Sequence, residues 1–311
     1  ISEMRVISSA PVRASLFGGS TDVNPYCELY GGAVISMAIN IRQEIEMSDE
    51  VGEYKYIPGA NPKFYEAFFK RFNFTPGSLK VSFPERIESG LGSSASAAVT
   101  LVAALAKLTN KKLSREEIAL MAWDVEVNDL GMFGGLQDQY AAAFGGLNYI
   151  TFGKEGARVI PFQQALGDEL QRYMLLFDTR ITRTDTKIQE SMKNLTDFRK
   201  KNLDIVKSFA THAYEILNSA DPEVIGTMLD SAWEFKKKTN NVTTKEIDSI
   251  YQTAIESGAW GGKLCGSGGG GCMIFMAPLY KHTLIKNNLS NMGCKWIDFE
   301  IDWNGVSTRF I

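Results

Sequence analysis

The spacing of apolar and polar residues in the first half of the chain predicts alternating strands and helices. Apolar residues recur at helical spacing in some segments and alternate with polar residues in others. The predicted strands cover residues 5–9, 33–47, 79–84 and 147–152, and the predicted helices cover residues 62–72, 93–108 and 114–128. Ser114 and Glu117 have the spacing of a capping box, which places the start of the last helix.

From residue 173 onward the pattern changes to long, charged helices and then to shorter segments. Helices are predicted at 185–218, 221–239, 243–257 and 279–288, and strands at 173–177, 261–265, 271–276 and 296–301. This order predicts an α+β fold, in which an N-terminal α+β domain is followed by a smaller βαβ-type sheet domain. We expect the boundary near residues 161–166.

Composition favours a soluble enzyme of about two domains. The chain has 311 residues, 44% of them hydrophobic, and a formal net charge of −3. It has no long basic block, so we expect no nucleic-acid partner. The longest apolar run, residues 97–106, is too short to span a membrane, and no signal peptide precedes the first strand. We therefore expect a cytoplasmic protein with no membrane partner.

The residue types present exclude several common catalytic chemistries. His212 and His282 are the only histidines, too few for Ser-His-Asp or zinc chemistry. The four cysteines lack metal-ligand spacing and are expected to be small apolar fillers. A P-loop motif is absent, which excludes that class of nucleotide site.

Residues 89–96, Ser-Gly-Leu-Gly-Ser-Ser-Ala-Ser, lie between a predicted strand and a predicted helix, where a helix N-terminus could receive an anion such as phosphate. Gly90 and Gly92 permit a backbone that larger residues would block, and Ser93 and Ser94 can cap the helix. The alternative is an ordinary capped helix after a tight turn. The octapeptide alone does not decide between them.

A second motif, Gly-Gly-Leu-Gln-Asp-Gln-Tyr, covers residues 134–140 and follows an acidic residue, Glu126. If Glu126 and Asp138 converge on one pocket, one could hold Mg²⁺ and the other could orient or deprotonate an attacking hydroxyl, as phosphoryl transfer requires. The alternative is that each is a solvated residue or a helix cap.

Residues 263–276 contain a run of glycines. Gly266, Gly268 and Gly271 formally satisfy the dinucleotide-binding pattern, but the segment that follows is short, apolar and strand-like. A Rossmann fold is excluded because its pattern must open a helix. A flexible linker is disfavoured because predicted strands flank the run on both sides.

Three motifs in this order, at residues 10–24, 89–95 and 262–271, resemble those of the GHMP kinases, the family of galactokinase, homoserine kinase and mevalonate kinase. The resemblance implies an α+β, GHMP-kinase-like two-domain architecture. An N-terminal ATP-binding domain would cover residues 1–163, and a C-terminal ferredoxin-like α/β sandwich would cover residues 164–311. Within the family, the segments around Asp22 and Asp138 are most similar to the heptose 7-phosphate kinases.

The resemblance implies a nucleotide loop, a metal site and a base. ATP would be bound by Ser89, Gly90, Leu91, Gly92, Ser93, Ser94 and Ala95. Ser94 and Glu126 would bind Mg²⁺. Asp138 would accept the proton of the sugar hydroxyl, and Arg13 would keep that carboxylate ionised and offer a bidentate fork to the transferred phosphoryl group.

The resemblance also implies substrate contacts. Sugar would be bound by Gly19, Thr21 and Asp22, while Gly266 and Gly268 would pack against the substrate and the phosphate loop.

The identity of the acceptor is the least constrained prediction. The heptose kinases usually carry lysine where this chain has Leu136. The missing lysine indicates either a neutral sugar or a substrate phosphate that is held instead by Arg180 and Arg183. We expect a monomer or homodimer that phosphorylates the anomeric hydroxyl of a small-molecule acceptor, a heptose 7-phosphate or related sugar. The alternatives are a kinase for a neutral sugar or another GHMP substrate (galactose, fucose or a mevalonate-type alcohol), and a catalytically silent sugar sensor.

Overall fold

The computed structural model describes residues 3–84, 90–182 and 193–311. The first half contains strands β1 (Arg5–Phe17), β2 (Gly32–Ser48), β3 (Tyr54–Lys55), β4 (Ser78–Ser82), β5 (Leu147–Gly153) and β6 (Gly156–Pro161) and helices α1 (Tyr26–Tyr30), α2 (Pro62–Phe72), α3 (Ser93–Leu108), α4 (Arg115–Asp124) and α5 (Gln137–Phe144). The second half contains helices α6 (Gln164–Gln171), α7 (Asp197–Ile216), α8 (Pro222–Thr239), α9 (Lys245–Glu256) and α10 (His282–Asn291) and strands β7 (Met174–Asp178), β8 (Gly261–Leu264), β9 (Cys272–Met276), β10 (Lys295–Ile297) and β11 (Ser307–Phe310).

The long strand β2 organises the sheet of the first half. It pairs antiparallel with β1 along most of its length, with β5 through residues 32–37 and with β4 through residues 44–48. β6 extends the sheet beyond β5, and β3 extends it beyond β4. One strand therefore connects nearly every other strand of this half.

Helix α3 is buried because its residues are mostly alanine, valine and leucine on every face. A helix that is apolar all round is stable only inside a core, and α3 packs against β1 and β2 with α2, α4 and α5 around it. Buried hydroxyl groups fix its position along β1. Ser96 Oγ donates to the carbonyl of Ala10 at 2.8 Å, so the N-terminus of α3 lies beside the middle of that strand.

The second half is built on a four-stranded antiparallel sheet in the order β10-β7-β9-β8. One hydrophobic cluster joins the two halves, since it includes Ile35 of β2, Leu176 of β7 and Ile274 of β9, all fully buried. Helix α7 also packs against β1 and β2. The two sheets are thus held together by shared apolar side chains.

The end of the chain returns to the first sheet, where β11 pairs antiparallel with β1 over residues 307–310. Arg42 of β2 supports this return, because its guanidinium donates to Asp302 Oδ2 and to the carbonyl of Gly305, both at 2.6 Å. The division of the chain at residue 163/164 stays a prediction.

Several sequence predictions agree closely with the structure. Helices predicted at 62–72 and 93–108 have those bounds. The capping box is confirmed, because Ser114 Oγ accepts from the Glu117 amide at 3.1 Å and the Glu117 carboxylate accepts from the Ser114 amide at 2.6 Å. The four cysteines are free and buried. No helix in the described ranges is both long enough and apolar enough to cross a bilayer.

Other predictions were wrong in their extent. The first strand was predicted to end at residue 9 but runs to Phe17, because a register shift after Pro11 lets the strand continue past the proline. The helix predicted to end at 128 changes to a π-helical turn at Val125–Asp129. The strand predicted at 296–301 is shorter, with only Ile301 bridging to Ile39 beyond it.

The helix predicted at 185–218 appears as α7, which begins at Asp197 because Thr196 caps it by accepting from the Arg199 amide at 3.1 Å. Part of that prediction, residues 185–192, lies outside the described residues. Six elements of the described ranges had no counterpart in the prediction: α1, α5, α6, β3, β6 and β11.

Candidate active site

A cleft of about 430 Å³ lies between the two halves, and it brings together the segments that the sequence singled out. β1 contributes Arg13 and Ser15, the start of α3 contributes its first turn, and the start of α5 contributes Asp138. The second half contributes Lys236, Lys263 and residues 265–267.

The glycine-serine loop before α3 forms one wall of the cleft. Gly90 and Gly92 have φ angles of +93° and +69°, a backbone conformation that favours glycine. The loop is tied to the sheet, because the Arg13 amide donates to the Leu91 carbonyl at 2.8 Å and Gln43 Nε2 donates to the Ser93 carbonyl at 2.5 Å. These bonds hold the free N–H groups of the first turn of α3 toward the cleft.

Not every predicted loop residue reaches the cleft. Ala95 lines it, whereas the Leu91 side chain is fully buried in the core, so Leu91 acts through its backbone only. Ser89 lies outside the described residues. Ser93 Oγ is buried and has no hydrogen-bond partner among the described residues, which leaves it available to an acceptor or donor in the cleft.

The glycine run of the second half packs against this loop at one point. A side chain at Gly266 would place its Cβ 2.6 Å from the Cα of Gly90, so the two backbones are in close contact. Gly268 is different, because its Cα faces Val242 and the described residues that line the cleft do not include it. Gly268 therefore serves the packing of the loop on the second half, and its substrate contact stays a prediction.

Asp138 and Arg13 form an ion pair at the centre of the cleft. Arg13 Nε donates to Asp138 Oδ1 at 2.5 Å, and the Asp138 side chain is 29% exposed while that of Arg13 is 8% exposed. Arg13 Nη1 donates to the carbonyls of Gly90 and Cys265, each at 2.9 Å. Burial opposes the charge of Arg13, but Asp138 more than offsets this and the pKa of Arg13 is raised.

These contacts modify the prediction for Arg13. Its Nε and Nη1 are engaged by the protein, so they do not form the predicted bidentate fork toward a phosphoryl group. Arg13 instead fixes the orientation of Asp138 and keeps a positive charge beside it.

Glu126 lies on the π-helical turn and is 5% exposed. Its Oε2 accepts from Ser94 Oγ at 2.8 Å, and its Oε1 accepts from Gln139 Nε2 at 3.1 Å. Burial raises the pKa of Glu126 to about 7, although both hydrogen bonds favour the charged form. The two residues predicted to bind metal thus adjoin each other at the cleft wall.

Asp22 holds the start of α5. Its Oδ2 accepts from the Gln137 amide at 3.0 Å, and burial raises its pKa to about 6. The contact requires glycine at 135, because a Cβ there would overlap the Asp22 carboxylate. Asp22 also lines the cleft, so it is placed both to cap the helix that carries Asp138 and to face a substrate.

Gly19 and Thr21, both predicted to bind sugar, differ in their positions. Gly19 lines the cleft. Thr21 is fully buried, and its hydroxyl donates to the carbonyls of Gly18 and Ala33 at 2.8 and 3.0 Å. The described lining residues do not include Thr21, whose hydroxyl holds the turn together. Its sugar contact stays a prediction.

Arg180, one of the two arginines predicted to clamp a substrate phosphate, does not line the cleft. Arg180 follows β7, and its side chain is exposed. Its charge opposes the effect of burial, which raises the pKa of Cys294. Cys294 directly precedes β10, the edge strand that pairs with β7. Arg183 lies outside the described residues.

Two cleft lysines were missed by the sequence prediction. Lys263 is 7% exposed and lies on β8, and Lys236 lies in the last turn of α8. For Lys263 the sequence did contain a signal, a single lysine inside an otherwise apolar strand. Lysine is seldom fully buried, so such a position indicates a functional role.

Comparison with known proteins identifies the family. The chain matches the GHMP kinases N terminal domain over residues 62–146 and the GHMP kinases C terminal domain over residues 213–293. It is 32% identical to a D-glycero-alpha-D-manno-heptose 7-phosphate kinase of Campylobacter jejuni, over 97% of this chain and 98% of that protein. The chain belongs to the GHMP kinase family.

Two further relatives of this GHMP kinase agree with that assignment. A crystal structure described as a D-glycero-D-manno-heptose 1-phosphate kinase from Bacteriodes thetaiotaomicron aligns with a TM-score of 0.78 and 25% identity, over 98% of this chain and 99% of that one. A mevalonate kinase of Methanothermobacter thermautotrophicus is 26% identical over 88% of this chain and 91% of that protein. The predicted two-domain fold class is confirmed, and the chain is a phosphotransferase with a hydroxyl acceptor.

Proposed function

We propose that this GHMP kinase is an ATP-dependent sugar kinase that phosphorylates the anomeric hydroxyl of a heptose 7-phosphate or a closely related sugar. The observation that carries the proposal is the Arg13–Asp138 ion pair, which lies in one cleft with the N-terminus of α3. The name of the C. jejuni relative supports the substrate class.

Asp138 has the position and surroundings of a general base. Its Oδ1 is held by Arg13, and the partial exposure of the side chain leaves the carboxylate accessible to a hydroxyl. In the proposed step Asp138 accepts the proton of the anomeric hydroxyl, the sugar oxygen bonds to the γ-phosphorus, and the bond from that phosphorus to the ADP oxygen breaks. Arg13 and the amides of the first turn of α3 stabilise the negative charge of the transferred group.

Ser94 and Glu126 fit a magnesium ion. They supply a hydroxyl and a carboxylate oxygen at the cleft wall, and a hard cation prefers oxygen ligands. The described residues contain no cluster of three acidic, histidine or cysteine ligands, which suits an ion that keeps water and phosphate oxygens in its shell. When bound, Mg²⁺ would neutralise charge on the ATP phosphates.

The acceptor would lie beside Asp138, at the start of α5. Asp22, Gly19 and the Gln137 amide oxygen border this part of the cleft, and Gln137 Oε1 has no hydrogen-bond partner among the described residues. Such groups can hydrogen-bond sugar hydroxyls and fix which oxygen faces Asp138.

The test is release of ADP from ATP with a panel of acceptors: heptose 7-phosphate, unphosphorylated heptose, galactose, fucose, mannose and mevalonate. We expect turnover to be greatest with heptose 7-phosphate and to require Mg²⁺. Greater turnover with a neutral sugar or with mevalonate would contradict the substrate class. Thermal stabilisation by a sugar without ADP release would instead indicate the sensor alternative.

A further inference from the structure

Lys263 is a buried cation that the proposed phosphoryl transfer does not use. Its side chain lines the main cleft and also an adjoining cavity of about 30 Å³. Within residues 3–84, 90–182 and 193–311 no carboxylate or other acceptor lies within hydrogen-bonding distance of its ammonium group. An unpaired buried charge destabilises a fold, so an anionic ligand is the natural partner for it.

A second lysine converges on the same place from another element. Lys236 of α8 lines both cavities together with Lys263 of β8. Burial lowers the pKa of Lys263, and the positive charges of Lys236 and Arg13 lower it further because like charges repel. An anion between them would relieve that repulsion.

The position of the pair indicates which anion it receives. The smaller cavity is bordered by Gly18 and Gly19, the residues that lead into the Asp22 turn, and its described lining does not include the phosphate loop before α3. The lysines therefore adjoin the Gly18–Gly19 end of the cleft, next to the acceptor part that Gly19 and Asp22 border. The predicted clamp residue Arg180 is not available for this task, since it lies outside the cleft.

We propose that Lys263 and Lys236 bind the phosphate group carried by the acceptor sugar and so select a sugar phosphate over a neutral sugar. This inference rests on the proposed sugar kinase function and names the residues that recognise its substrate. Two ammonium groups bring two positive charges to a phosphate dianion, a match that neither a sugar hydroxyl nor an apolar group provides.

The test compares heptose 7-phosphate with unphosphorylated heptose as acceptors of wild type, Lys263→Met and Lys236→Met. Lys238→Met is the matched control, because Lys238 is an exposed lysine at the end of the same helix. We expect each cleft variant to raise the KM for heptose 7-phosphate by about 10- to 100-fold, as loss of a charged hydrogen bond predicts. The KM for ATP and the kinetics with unphosphorylated heptose should stay unchanged, and Lys238→Met should match wild type.

A fall in kcat at unchanged KM would overturn the inference, since it would place the lysines at the transferred phosphoryl group. An equal rise in KM for both acceptors would overturn it as well. Methionine keeps the length of the lysine stem and removes the buried charge, so the thermal midpoint of unliganded Lys263→Met should equal or exceed that of wild type.

Ligand binding separates this inference from the proposed function. If wild type turned over neither heptose, the kinase proposal would fail, and thermal stabilisation by heptose 7-phosphate would still test the lysines. If heptose 7-phosphate stabilises wild type but not Lys263→Met, the result supports the proposed role of the lysines. Equal stabilisation of wild type and Lys263→Met by heptose 7-phosphate, or no stabilisation of wild type, overturns the proposed role of the lysines.

Discussion

Three carboxylates of the cleft differ in their surroundings, and the differences separate their roles. Asp138 is partly exposed and paired with Arg13, Glu126 is buried with Ser94, and Asp22 is buried against the first turn of α5. A base needs an accessible, charged carboxylate, a metal ligand needs oxygen neighbours, and a helix cap needs a backbone amide.

Asp138→Asn should lower kcat by about 10²- to 10⁴-fold, because an amide cannot accept the hydroxyl proton. The affinity for ATP, measured by calorimetry, should be nearly unchanged. Asp129→Asn is the matched control, since Asp129 is also a partly exposed aspartate paired with an arginine, Arg71 at 2.7 Å. Near-normal turnover of Asp138→Asn would remove this residue from the mechanism.

Glu126→Gln should shift the Mg²⁺ dependence of turnover to concentrations about tenfold higher or more, because a neutral amide binds a hard cation poorly. Burial raises the pKa of Glu126 to about 7, so wild type should need more Mg²⁺ as the pH falls below 7 and the carboxylate is protonated. The glutamine variant should lack this pH effect. Identical Mg²⁺ titrations for the two proteins would show that Glu126 is only a structural residue.

Asp22 should make the protein less stable as the pH rises from about 4 to 6. Burial raises its pKa in the folded state to about 6, against about 4 when unfolded. Between these pH values the unfolded state has lost the proton while the folded state still holds it, so each rise in pH favours unfolding. The full difference corresponds to about 3 kcal/mol. Urea unfolding of wild type and Asp22→Asn across this range would test it, because the variant should show a flatter profile. Parallel profiles would contradict the prediction.

At the scale of elements, helix α5 is positioned by a residue from a distant turn. Asp22 follows β1 and accepts from the Gln137 amide, and Gly135 leaves the space that this contact requires. The helix then presents Asp138 to Arg13 of the same strand. Two contacts from one segment of chain thus set the position of the proposed base.

Gly135→Ala should displace the Asp22 carboxylate and lower kcat by about 10-fold or more while ATP still binds, because the added Cβ would overlap that carboxylate. Gly134→Ala is the control, since a Cβ at Gly134 meets nothing within 4 Å. Steady-state kinetics of the two variants test the prediction. Equal activity would show that the Asp22 contact does not position Asp138.

Sequence predicted elements well where a local signal fixes the start of a helix. Asn61 caps α2 through the Lys63 amide, and Ser114 and Glu117 cap α4, so both starts were predictable. Helix α5 was missed because it is short, follows two glycines and takes its cap from Asp22, which is distant in sequence. A contact of this kind has no local pattern.

At the scale of the whole molecule, the cleft depends on contacts that join the two halves. Gly266 packs on Gly90, and the carbonyl of Cys265 accepts from Arg13. The second half therefore contacts both the loop before α3 and the arginine that pairs with Asp138. The sequence motifs predicted which segments meet here. They could not place Arg180 outside the cleft or Lys263 within it, because these positions follow from how the second sheet packs against β1.

The central claim is transfer of the γ-phosphoryl group of ATP to the anomeric oxygen of a sugar phosphate, and ³¹P NMR of the product tests it most directly. With heptose 7-phosphate, ATP and Mg²⁺, we expect a second sugar phosphate signal coupled to the anomeric proton, in amounts equal to the ADP formed, and none with Asp138→Asn. Phosphate on another hydroxyl, or ADP accompanied only by inorganic phosphate, would contradict the account.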